Sequence, residues 1–148
     1  MIDNVYVQWA ALFVIMGLMA VGAYTDAKQR IIPNSVNLGI FVCGFFTPGG
    51  LAEKAISFGI IAVAMFLATK ITKQKSGGGD VKMYLAMAFS LGVFQTALIL
   101  AGAAVLVKLH NLIKRRRGGK GERYPICCYV APAYAVYLAV MLVLEIAP

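Results

Sequence analysis

The sequence predicts an all-α, polytopic membrane protein of six transmembrane helices, the second and fourth of them short. Three observations carry the prediction. Of 148 residues, 61% are hydrophobic and 14% charged, outside the range of ordinary soluble domains. The apolar residues fall in runs long enough to cross a hydrocarbon core, separated by Gly, Pro and charged stretches. The 14 Lys and Arg residues gather in short loops, the pattern of membrane topology. The formal charge of +8 is thus read as a preference for the cytoplasmic side and for anionic lipid head groups, with no nucleic-acid partner.

The first segment runs from about Val5 to Tyr24, with Tyr6 and Trp9 suited to an interfacial belt. Its leading residues Met1-Ile2-Asp3-Asn4 lack a basic region and no small-residue cleavage pattern follows, so it is expected to be a retained helix and not a removed signal. In the polar turn Thr25–Asn34, Pro33 pushes Ile32 out of helical geometry and Asn34 or Ser35 is placed to cap helix two, Ser35–Phe46. Thr47-Pro48-Gly49-Gly50 breaks the chain before a third apolar segment, Ala55–Ile71. After Lys70, Lys73 and Lys75 comes the glycine-rich stretch Ser76-Gly77-Gly78-Gly79-Asp80-Val81-Lys82.

Val81–Val107 has scarcely a charge beyond Lys82 and reads as one long helix or two short ones. Charge decides. A single crossing would put Lys70–Lys82 and the basic run Lys108–Arg123 on opposite sides, whereas a break near Gly92–Gln95 puts them on the same side. Six segments result, with both termini outside and every basic residue except Lys54 in the three cytoplasmic loops. The loop Lys114–Arg123 is expected to be flexible, a topology determinant touching anionic lipid, and Tyr124-Pro125 opens a final segment reaching about Ile146. One integral membrane domain over residues 1–148, without a soluble domain, is the expectation.

This topology, set by basic residues, brings Asp26 and Asp80 to the same cytoplasmic side at similar depth. A carboxylate bordering a membrane helix is costly and marks a functional site. If helices one and four are neighbours, the two carboxylates can share a water and a proton, one taking a proton from the attacking water and the other polarising a scissile carbonyl. Gly77, Gly78 and Gly79 permit positive φ and close approach of an extended substrate strand, and the helix-four dipole favours ionised Asp80, the better candidate for base. The structural alternatives are an N-cap role for Asp80 and pairing of Asp26 with Lys28 or Arg30. Asp3, Glu53 and Glu145 fall at the outer surface.

Other chemistry is less well supported. Cys43 and the adjacent Cys127-Cys128 form neither a disulfide framework nor a zinc site, and no metal or organic cofactor is expected. His110 acting on Cys127 or Cys128, and a Ser-Lys pair using Ser76 or Ser90, lack supporting spacing. Met83 and Met87 read as packing, and Lys82, two positions after Asp80, points away from it on a regular helix.

Asp26 followed by Arg30-Ile31-Ile32-Pro33-Asn34, together with Gly77-Gly78-Gly79-Asp80-Val81-Lys82, resembles the type IV prepilin peptidases, membrane aspartic proteases of the GxGD type. With the six-segment layout the resemblance covers nearly the whole chain. It implies removal of the leader peptide from pilin precursors at the cytoplasmic face of the inner membrane. Asp26 and Asp80 would be the catalytic pair, Gly77 and Gly79 the motif glycines, and Lys82 a neighbour in the site. The cysteine-containing insertion and methyltransferase region of many members are absent from this sequence. It thus looks like the short, peptidase-only form of tight-adherence (Flp) pilus systems, with no N-methylation assigned. A preflagellin-type peptidase, or a non-enzymatic transporter or assembly subunit using the aspartates for ion coupling, remains open as an alternative. Helices two and four, about 12 to 14 residues and about 20 Å long, fall short of the hydrocarbon thickness, so the bilayer is expected to thin around them and bring water to the aspartates.

Overall fold

The structure, a computed structural model, describes residues 4–72, 77–116 and 125–144. Six helices make up the described residues: α1 Val5–Gln29, α2 Asn34–Cys43, α3 Leu51–Thr72, α4 Gly78–Leu91, α5 Val93–Arg116 and α6 Cys127–Val143. Three stretches, Val5–Gln29, Leu51–Lys70 and Val93–Lys114, are long and apolar enough to cross a membrane. α2 and α4, at 10 and 14 residues, are only about 15 and 21 Å long.

Several element ends differ from expectation. α1 starts at an Asn4 cap, whose Oδ1 accepts the Tyr6 N–H at 3.0 Å, and continues past Tyr24 to Gln29. No residue in Thr25–Gln29 interrupts a helix, so Asp26 is helical and not part of a turn. Arg30 closes α1 in the left-handed conformation with φ 55°, its N–H donating to the Asp26 carbonyl at 2.9 Å. Pro33, and not Asn34 or Ser35, is the N-cap of α2, with no side-chain cap bond; its fixed φ of −60° suits that position. α2 ends at Cys43, short of Phe46, and Gly49 with φ 103° turns the chain into α3.

The expected break in Val81–Val107 is present: Gly92, with φ 92°, separates α4 from α5. α5 then runs past Val107 to Arg116, taking Lys108, His110 and Lys114 into a helix, because good helix formers continue the run. The expected polybasic loop is therefore helical as far as Arg116. Residues 117–124, and the expectations placed on Asp3, Lys73, Lys75, Ser76 and Glu145, lie outside the described residues.

α1 packs on α6 and α2, α4 on α2 and α3, and α5 on α6 and α4. α1 and α4 are thus joined chiefly through α2 instead of lying flush as neighbours. Ile15, Met19, Ile40, Met83, Met87 and Tyr134 are fully buried where these helices meet, so Met83 and Met87 are packing residues as expected. Phe41 of α2 stacks on Phe89 of α4 at 4.3 Å between centroids, and the Tyr134 hydroxyl of α6 donates to the Leu12 carbonyl of α1 at 3.1 Å.

Lys54, the one basic residue that the sequence reading leaves outside the cytoplasmic loops, is buried. Its ammonium donates to the Gly44 carbonyl at 2.5 Å, the Thr47 carbonyl at 2.6 Å and Thr47 Oγ1 at 3.2 Å. All three protons are satisfied by oxygens at the end of α2, where the helix dipole is negative.

Candidate active site

Asp26 stands in the last turn of α1 and Asp80 in the first turn of α4, 54 positions apart in the chain. Both line one open cavity of about 420 Å³, whose wall also includes Pro33, Asn34, Gly77–Gly79 and Lys82. Every residue expected at the site thus borders a single space. Asp26 is buried and Asp80 half-buried, near enough for the Asp26 charge to act on Asp80.

The two carboxylates are held differently. Asp26 Oδ2 accepts the backbone N–H of Cys127 at 3.0 Å, the first residue of α6, so a helix N-terminus faces this acid. Sequence reasoning missed that partner, 101 positions away, because a backbone donor leaves no side-chain signature. Lys28, one of the two partners in the structural alternative for Asp26, lies over the Tyr24 ring at 5.9 Å from its centroid. Asp80 is the third residue of α4; the N-cap is Gly77, so the capping role considered for Asp80 does not hold.

The glycines act through space and not through special dihedrals. Among the described residues only Gly49 and Gly92 are glycines with positive φ, so the expectation of positive φ at Gly77–Gly79 fails. A β-carbon at position 77 would lie 2.9 Å from Asp80 Oδ2, and one at 79 would lie 3.3 Å from Ile32 Cβ and 3.5 Å from its carbonyl oxygen. At 78 it would meet nothing within 4 Å. Gly78 and Gly79 already belong to the first turn of α4, which leaves Gly77 as the described part of the loop expected to pair with a strand.

The Lys82 ammonium donates to Asn34 Oδ1 at 3.0 Å, tying α4 to the start of α2. One turn further along α2, Asn37 donates from Nδ2 to the Gly79 carbonyl at 3.3 Å. Asn37 was not anticipated; its one signal is a polar residue in an apolar run. The cysteines lie elsewhere in function: Cys127 and Cys128 direct their sulfurs to the Met19 and Ala23 carbonyls, and all three are free thiols. His110 meets the Tyr129 ring edge-on, and Ser90 Oγ reaches the Ile40 and Ala86 carbonyls, each at 2.8 Å.

A family model described as the type IV leader peptidase family matches residues 13–112, more than half of the chain. The chain belongs to that family. No curated protein and no solved structure matches it. The matched region of this leader peptidase family member holds both aspartates, Pro33-Asn34, the three glycines and Lys82, but ends before α6, whose first N–H contacts Asp26. Membership places the chain among peptidases, and its three long apolar helices make it a membrane protein.

Proposed function

We propose that the protein is an aspartic endopeptidase that removes the leader peptide of type IV pilin-like precursors at the cytoplasmic face of the inner membrane. The observation that carries the reading is the meeting of Asp26 and Asp80, from two separate helix ends, in one cavity. Like charges in one site disfavour double ionisation, so the pair holds one proton between them. Asp26, facing the α6 N-terminus, is the base, in place of Asp80. It takes a proton from water as the water oxygen adds to the scissile carbonyl carbon, while Asp80 delivers the shared proton to the carbonyl oxygen. Collapse of the tetrahedral intermediate breaks the C–N bond as the proton held by Asp26 passes to the leaving amine and one hydroxyl of the intermediate returns its proton to Asp80.

An open cavity would suit an extended peptide, and the basic residues at this end of the bundle support a cytoplasmic site with both termini outside. Anionic lipid head groups contact the same basic end. Co-expression with a candidate pilin precursor, read as a gel shift on leader removal, tests the reading. Asp26→Asn and Asp80→Asn should each abolish the shift with the protein still in the membrane fraction, and full cleavage by either variant would sink the proposal.

A further inference from the structure

The hydrogen bonds around Asp80 run through α2. Residues on both sides of it are tied to that helix: Gly79 accepts from Asn37 Nδ2 at 3.3 Å, and Lys82 donates to Asn34 Oδ1 at 3.0 Å. The Asn34–Lys82 bond is exposed and exchanges readily with water. Asn37, in contrast, is 5% exposed, and a hydrogen bond there has no competing solvent. The other end of α2 is fixed independently: Lys54 binds Gly44 and Thr47, Thr47 Oγ1 donates to the Ser90 carbonyl at 2.5 Å, and Ser90 Oγ donates to the Ile40 carbonyl. α2 is a strut anchored to α4 at its far end, with Asn37 presenting an amide to the peptide that carries Asp80.

We infer that Asn37 is a positioning residue of the aspartate pair, its buried side-chain amide fixing the Gly79 peptide and through it the direction of Asp80 toward Asp26. The inference rests on the proposed proteolytic reading for its kinetic consequence, and on geometry alone for its structural one. Asn37 Oδ1 is buried with no hydrogen-bond partner among the described residues, so exchange of the amide for leucine, bulkier but of the same branched shape, removes an unpaired acceptor along with the donor. A purely structural residue would lose stability and activity together; this one separates them.

The test uses the full-length protein in two measurements. In purified Asn37→Leu, leader release should fall about 10- to 100-fold in kcat with KM within about twofold, and the thermal midpoint should not drop. Asn37→Ala, which adds no bulk, should lose kcat in the same way if leucine does not fit. Separately, with Cys43, Cys127 and Cys128 replaced by alanine, Asp26→Cys and Asp80→Cys should be bridged by mercuric ion, and either Asn37 change should lower the bridged yield at least about threefold. Unchanged bridging yield, or kcat within about twofold of the parent, would overturn the inference. If Asp26→Asn and Asp80→Asn retain cleavage, the proteolytic reading fails, while the bridging yield still judges Asn37.

Discussion

At position 77 a β-carbon would crowd Asp80 Oδ2 at 2.9 Å, and at 79 it would press on the Ile32 backbone and side chain; position 78 faces open space. The three adjacent glycines therefore have different roles. Gly77→Ala displaces the carboxylate proposed to be catalytic, with little to destabilise, and leader cleavage should drop by at least about tenfold at unchanged thermal midpoint. Gly79→Ala must move the Ile31–Pro33 turn and should lower both activity and stability. Gly78→Ala should cleave like the parent and gain up to about 1 kcal/mol, since alanine is the better helix former in the first turn of α4. Parallel cleavage assays and detergent melting curves for the three variants check this order. Both motif glycines were legible in the sequence, but the reason was not: close packing of a neighbour replaces the positive φ that a glycine run suggests.

Among the elements, α2 has the largest share in placing the site and is the shortest of the six helices. Ten residues provide little propensity-driven stability, so the helix depends on its attachments. Lys54 supplies one of them. Its ammonium takes up the carbonyls that a helix end leaves unpaired, which is why a single cation tolerates burial at the end of the molecule remote from the aspartates. Lys54→Met should destabilise the protein by about 2 to 4 kcal/mol, by stranding these oxygens, with Lys54→Arg intermediate because the guanidinium fork does not match three converging acceptors. Urea or thermal unfolding in detergent micelles measures both. The basic-residue rule had Lys54 as its one exception; burial explains the exception, because a residue saturated inside the bundle does not act as a loop charge.

For the whole molecule, the proposed topology and the short α2 are tested together. A cysteine at Ile31 should react with a membrane-impermeant thiol reagent from the cytoplasmic side and one at Pro48 from the opposite side, in a chain free of its native cysteines, although α2 between them spans only about 15 Å. Labelling of both from one side would refute the six-crossing arrangement, and shielding of either would refute local thinning. Much of the plan is determined by the sequence itself: the six segments, the breaks at Pro48–Gly50 and Gly92, and the placing of Asp26 and Asp80 at one end of the bundle. Hydropathy, turn chemistry and charge distribution are local properties, and each is readable without knowing what a residue touches. The tertiary structure alone decided which helix bridges the aspartates, that the Cys127 N–H meets Asp26, that Asn37 holds Gly79, and that Lys54 is buried. These depend on contacts between distant segments and on backbone donors and acceptors, which every residue carries alike and which therefore leave no mark in the order of side chains.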